Sequence, residues 1–182
     1  MRIIFLDRDG VINRFPGKGL YVTRPEDFQL LPRAAQAIAR LTKAGCEIYV
    51  VSNQGCVSRG LITEKILAQM TETMMSEIRA AGGQIQKVYY CPHQTSDHCE
   101  CKKPKLKFFR EVIAGRAVDM KNVYFVGDSA EDMEAAKGLG CRGVLVLSGR
   151  TTDIDAPGFE PKPETIQKDL WEAVEWILQK RS

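Results

Sequence analysis

No apolar stretch in this 182-residue sequence approaches the roughly 20 residues that a helix needs to cross a bilayer. Charge of one sign is also lacking: 26 Lys and Arg face 23 Asp and Glu, a net +3. The basic residues are spread along the chain, so neither nucleic acid nor a membrane surface is expected as a partner. Charged residues at positions 2, 7, 8 and 9 break any signal-peptide pattern, and a cytoplasmic protein is expected. Internal repeats and low-complexity tracts are missing. So is a G-x-x-x-x-G-K-[ST] loop, which disfavours a kinase. The length is that of one domain, 1–182, with a sizeable core.

What is present is alternation. Short β-branched or aromatic runs at 2–7, 47–52, 86–90, 122–127 and 142–147 predict strands. Amphipathic stretches near 33–45, 63–82, 105–116, 130–139 and 165–180 predict helices. Strand–helix alternation predicts an α/β fold, a doubly wound and mostly parallel sheet with helices on both faces. Pro32 and Thr63 suit helix starts, and Gly45 and Gly82-Gly83 suit helix ends. Gly149–Pro163 reads as a surface loop, and the last helix as a packing helix.

Three of these strands stop at chemistry. Ile3–Leu6 runs into Asp7-Arg8-Asp9-Gly10, two carboxylates one residue apart. One can attack and the other can move a proton, once a hard divalent cation offsets their repulsion. Glu47–Val51 ends in Ser52-Asn53-Gln54-Gly55, whose hydroxyl and backbone N–H groups suit a phosphoryl oxygen. Val123–Val126 ends in Gly127-Asp128, with Asp132 after it. Asp128 falls at the same topological place as Asp7, so adjacent strands would bring both to one Mg²⁺; a helix-capping role is the alternative. Lys102-Lys103-Pro104-Lys105 offers a lysine to balance the charge, or else a solvated basic run.

Of the six cysteines, Cys91, Cys99 and Cys101 crowd with His93 into eleven residues. Three thiolates and an imidazole make a complete tetrahedral shell for a structural Zn²⁺. His98 is a competing imidazole. Cys46, Cys56 and Cys141 read as packing residues.

The ordered set DRDG, SNQ, KKPK and GDSAEDM resembles the haloacid-dehalogenase-like (HAD) phosphatase superfamily over residues 3 to about 147. The resemblance implies Asp7 as nucleophile and Asp9 as general acid/base. Ser52 and Lys103 would hold the phosphoryl group. Mg²⁺ would bind the Asp7 carboxylate, the Asp9 backbone carbonyl and Asp128, with Asp132 a supporting acid or a further metal contact. C-P-H followed by C-x-C and a basic segment is similar to a capless branch with a zinc loop, here about 91–104. That branch holds heptose-1,7-bisphosphate 7-phosphatases and histidinol-phosphate phosphatases. It implies a small sugar bisphosphate as substrate, with Arg59 and Lys102 as contacts and Asn53 and Gln54 as helpers. Where the branch usually reads Cys-Arg-Lys-Pro-Lys-Pro-Gly, this chain reads Cys101-Lys102-Lys103-Pro104-Lys105-Leu106-Lys107, without the planar fork at 102. Without a cap, the loops Arg14–Asp27 and Gly55–Gly60 and the zinc loop would shield the site. A monomer is expected. Histidinol phosphate is the second substrate reading, and a non-catalytic zinc-stabilised binding module the remote one.

Overall fold

The computed structural model describes residues 1–152 and 158–180. Six strands appear in chain order: β1 (Ile3–Leu6), β2 (Glu47–Asn53), β3 (Lys87–Cys91), β4 (Val123–Gly127), β5 (Arg142–Val146) and β6 (Thr165–Gln167). They form one sheet in the order β3-β2-β1-β4-β5-β6, and every neighbouring pair is parallel. Four helices connect them, α1 (Ala34–Lys43), α2 (Glu64–Ala80), α3 (Lys107–Ile113) and α4 (Ala130–Leu139), and α5 (Leu170–Gln179) follows β6. This is the Rossmann-like arrangement read from the alternation, with no cap domain among the described residues.

Side chains alternate across the pleat, so each strand feeds two layers. On one face, Ile4 and Leu6 of β1 and Ile48 and Val50 of β2 pack with Ile38 and Leu41 of α1, Met70 and Met74 of α2, and Val174 and Ile177 of α5. On the other, Ile3 and Phe5 join Val123 and Phe125 of β4 against Phe109 of α3 and Ala135 and Ala136 of α4. The Phe5 and Phe109 rings meet edge to face with centroids 4.9 Å apart.

Helix ends follow their local chemistry. The Thr63 hydroxyl accepts from Ile66 N–H at the start of α2. Ser129 and Asp132 form a reciprocal capping box at the start of α4. The sequence-based boundaries need one correction. Residues 165–167 pair in parallel with β5 as β6, and α5 begins only at Leu170, with the Asp169 carboxylate accepting from Glu172 N–H. Thr165-Ile166-Gln167 suits an edge strand, and Asp169 stops any helix from extending back through it. Part of the expected Gly149–Pro163 loop, residues 153–157, lies outside the described residues. No helix among those described is long and apolar enough to cross a membrane.

The strand order reverses between β1 and β4: successive crossovers place β2 and β3 on one side of β1, and then β4, β5 and β6 on the other. At such a switch point the loops leave in opposite directions and open a crevice at the carboxyl ends of the strands. Leu6 pairs with Val126, and Asp7 N–H donates to Val126 O at 2.9 Å. The two acidic strand ends are therefore level in that crevice.

Candidate active site

Three carboxylates meet there. Ligand oxygens of Asp7, Asp128 and Asp132 all lie within 4.8 Å of one another. Lys103 enters from the loop before α3, its Nζ 2.8 Å from Asp7 Oδ1 and 2.7 Å from Asp132 Oδ1, with its side chain 2 % exposed. Asp7 Oδ1 also accepts from Arg8 N–H at 2.7 Å.

Three acids against one ammonium leave the charge uncompensated. Burial, followed by the neighbouring Asp132 and Asp7, pushes the Asp128 carboxyl up to about 8. Burial pushes Asp7 up to about 6 even with Lys103 pulling the other way. A cluster of hard oxygens with excess negative charge fits Mg²⁺.

Asp132 is already engaged. Its Oδ2 accepts from Asp128 N–H and Ser129 N–H, both at 3.1 Å, and from Ser129 Oγ at 2.6 Å; its Oδ1 faces Lys103. Asp132 therefore holds the lysine and the helix start, and Asp7 and Asp128 are the carboxylates left for a cation. Gly127 makes room for the Asp132 side chain: a Cβ there would sit 2.3 Å from Asp132 Cβ.

Asp9 points into a separate polar nest. Arg8 Nη2 donates to both its oxygens, at 3.0 and 2.9 Å, Asn13 Nδ2 donates at 2.9 Å and Gln54 Nε2 at 2.6 Å. Burial works against the Asp9 charge, but Arg8 and these donors outweigh it and hold the carboxyl below its ordinary value. Arg8 is itself buried, its guanidinium 5.6 Å from the Phe28 ring centroid and 5.5 Å from that of Tyr90. At rest Asp9 is therefore held ionised.

The cavity over these groups has about 480 Å³ of empty space and is lined by Asp7, Asp9, Ser52, Asn53, Lys103 and Asp128. Phe15, Pro16, Leu20 and Tyr21 form one wall. They belong to the expected shielding loop, whose ends are pinned by Arg14 N–H to Gln29 O at 2.9 Å. The far wall is the turn after β5. Arg150 N–H donates to Asp128 Oδ2 at 2.6 Å and Thr151 Oγ1 to Asp128 O at 2.7 Å. A Cβ on Gly149 would lie 1.9 Å from Asp128 Oδ2, and one on Gly10 2.2 Å from the same atom, so both turns need glycine.

Beside this cavity the four zinc-type ligands come together. Sγ of Cys91 lies 3.6 Å from Sγ of Cys99 and 3.4 Å from Sγ of Cys101, and His93 Nδ1 lies 3.3 Å from Cys101 Sγ. Burial pushes the Cys91 thiol up to about 12. Three crowded sulfurs and a ring nitrogen are a donor set that fits a soft tetrahedral cation such as Zn²⁺. His98 lies outside the group. The cluster is next to the chemistry in the chain, because Cys101 is two residues before Lys103. Asn53 clamps the same segment, accepting from Lys103 N–H at 2.9 Å and donating to Lys103 O at 3.2 Å.

The residues read from sequence therefore divide. Asp7, Asp9, Ser52, Asn53, Lys103 and Asp128 share one cavity. Arg59 and Lys102 line an adjoining basin instead. Gln54 is buried behind Asp9 and serves that carboxylate. Sequence reasoning missed Arg8 as a buried partner of Asp9, and missed Gly149, Arg150 and Glu131 as wall residues. The signal for Gly149 and Arg150 was their place just after a fifth parallel strand, at the same end of the sheet as Asp7 and Asp128.

Residues 100–173 match the HAD-hydrolase-like family model. The chain is 35% identical over 179 residues to the D-glycero-beta-D-manno-heptose-1,7-bisphosphate 7-phosphatase of Bordetella bronchiseptica, covering 98% of this chain and 99% of that one. It is 31% identical to the enzyme of that name from Neisseria meningitidis, covering 100% of this chain and 97% of the relative. Among solved structures, a D,D-heptose 1,7-bisphosphate phosphatase from B. bronchiseptica complexed with magnesium and phosphate superposes with a TM-score of 0.91 at 34% identity, over 100% of both chains. Its counterpart from Burkholderia thailandensis gives 0.75 at 31% identity, over 99% of this chain and 100% of that one.

Proposed function

We propose, from the premise that this chain belongs to the heptose-1,7-bisphosphate 7-phosphatase family of HAD-like phosphatases, that it removes the 7-phosphate of D-glycero-D-manno-heptose 1,7-bisphosphate. The observation that carries the chemistry is the convergence of Asp7, Asp128 and Lys103, with Asp9 beside them.

Asp7 attacks phosphorus, forming an aspartyl phosphate as the ester oxygen leaves. Lys103, held by Asp132, offsets the charge on Asp7 and on the transferring group. Ser52, which lines the same cavity, donates to a phosphoryl oxygen. Asp9 gives a proton to the leaving alkoxide and then takes one from the water that hydrolyses the intermediate. Asp9 is ionised at rest; the approach of the phosphate dianion raises its proton affinity, so it takes up a proton from solvent as the substrate binds and passes that proton to the leaving oxygen. Mg²⁺, held by Asp7, Asp128 and the Asp9 carbonyl, would supply electrostatic stabilisation of the phosphoryl oxygens. Zn²⁺ at Cys91, His93, Cys99 and Cys101 would be structural, ordering the loop that presents Lys103.

Histidinol phosphate would place a cationic head near Arg59 and Lys102, which disfavours it as substrate. The test is kcat/KM for the two phosphates, with Asp7→Asn as control. The bisphosphate should be preferred by a wide margin, and Asp7→Asn should lose at least about a thousandfold in kcat. A preference for histidinol phosphate, or an active Asp7→Asn, overturns the reading.

A further inference from the structure

We propose that Arg150 recognises the second, non-reacting phosphate of the substrate and so sets the preference for a bisphosphate over a monophosphate. This inference rests on the phosphatase reading above and names a specificity residue that the sequence motifs do not contain.

Next to the catalytic cavity lies a second basin of about 560 Å³ of empty space. Tyr21, Asn53, Glu131 and Arg150 belong to both walls, so the two spaces are contiguous. Three cations line the basin, Arg59, Lys102 and Arg150. Among the described residues none of them pairs with a carboxylate; Lys102 Nζ donates to Thr95 Oγ1 at 2.7 Å, and the Arg59 guanidinium lies 5.6 Å from the Tyr21 ring centroid. Arg24, Arg40, Lys87, Lys105 and Arg116, elsewhere on the surface, each have an acidic partner. Three uncompensated cations around one concave space favour an anionic ligand.

Arg150 is the member of this set that also lines the cavity over Asp7 and Asp128. Its backbone N–H is fixed on Asp128 Oδ2 at 2.6 Å, so the origin of the side chain is tied to the proposed metal ligand. Its guanidinium lies 5.8 Å from the ring centroid of Phe15 in the shielding loop. A guanidinium offers a planar fork for bidentate binding of a phosphate, which Lys102 cannot supply. Glu131, the acid of the basin, accepts from Asn53 Nδ2 at 3.3 Å. It repels a phosphate placed beside it and suits the hydroxyl groups of a polyol chain running between two phosphates.

The experiment measures kcat/KM for heptose 1,7-bisphosphate and for heptose 7-phosphate with wild type, Arg150→Ala and Arg150→Lys. In wild type the bisphosphate is preferred. In Arg150→Ala the ratio of the two values should fall about ten- to hundredfold, mainly through KM for the bisphosphate, and Arg150→Lys should recover part of it. A ratio unchanged in both variants, whatever the absolute loss, overturns the role of Arg150, as does a wild type that shows no preference. A wild type that hydrolyses neither compound overturns the phosphatase reading itself, and the inference with it.

Discussion

Lys103 Nζ stands 2.7 Å from Asp132 Oδ1, and the same ammonium reaches Asp7 Oδ1 at 2.8 Å. Asp132 is fully buried and also caps α4, so one carboxylate ties the helix start to the cation beside the proposed nucleophile. Under the proposed mechanism, stability and chemistry therefore share this ion pair.

Lys103→Ala should lower both. Removing the ammonium leaves buried Asp132 and Asp7 facing each other uncompensated, a loss of about 3–5 kcal/mol by analogy with broken buried pairs. Denaturant unfolding checks the first effect. Turnover of the bisphosphate, expected to drop at least about a hundredfold, checks the second. A variant as stable and as active as wild type would show that the pair does neither job.

Gly149→Ala should disable the site with little change in the core. The new Cβ, 1.9 Å from Asp128 Oδ2, forces either the carboxylate or the turn to move. A displacement of about 1 Å at a catalytic group can cost on the order of a hundredfold in rate. Magnesium titration of activity should show a weakened apparent affinity; unchanged magnesium dependence would contradict the packing argument.

Magnesium binding should strengthen with pH up to about 8, the value to which burial pushes the Asp128 carboxyl. Between an ordinary carboxylate value and 8, the metal-free native state holds a proton that the unfolded chain has lost. That contribution to stability is complete in acid and disappears as pH rises through 8. Asp7, raised to about 6, acts in the same direction over a narrower window. A cation must displace these protons, so affinity should gain up to about tenfold per pH unit for each one. The rise in Tm on adding Mg²⁺ should be larger at pH 8 than at pH 6, and the reverse order would refute the assignment of Asp128.

Cys101→Ser should reduce bound zinc from about one per chain toward zero. Because Cys101 lies two residues before Lys103, whose backbone Asn53 clamps, loss of the ion should lower Tm and kcat together. Metal analysis of reduced protein alongside both measurements tests this; a zinc-free wild type would remove the structural role.

Much of this was legible in the chain. The apolar strand Ile3–Leu6 stops at Asp7 and Val123–Val126 at Gly127-Asp128, and the alternation of strand-like and helix-like stretches marks a parallel sheet. The segment 165–167 reads as helix in the sequence because the helical pattern after it runs on into it and an edge strand of three residues carries too short a pattern to stand out. Arg8 was passed over because a charged residue between two aspartates reads as exposed, whereas Phe28 and Tyr90 bury its guanidinium from distant parts of the chain.

The sequence by itself determined which residue types stand at strand ends and which thiols and imidazoles lie within ligand reach of one another, because those depend on spacing and on local backbone preference. Only the tertiary structure decided that Asp132 holds Lys103 and leaves Asp128 to face the cavity, that Gln54 serves Asp9, and that Arg150 joins two cavities. Each of those depends on the order of strands in the sheet, which places loops more than a hundred residues apart at one crevice and settles which side chain reaches a shared partner first.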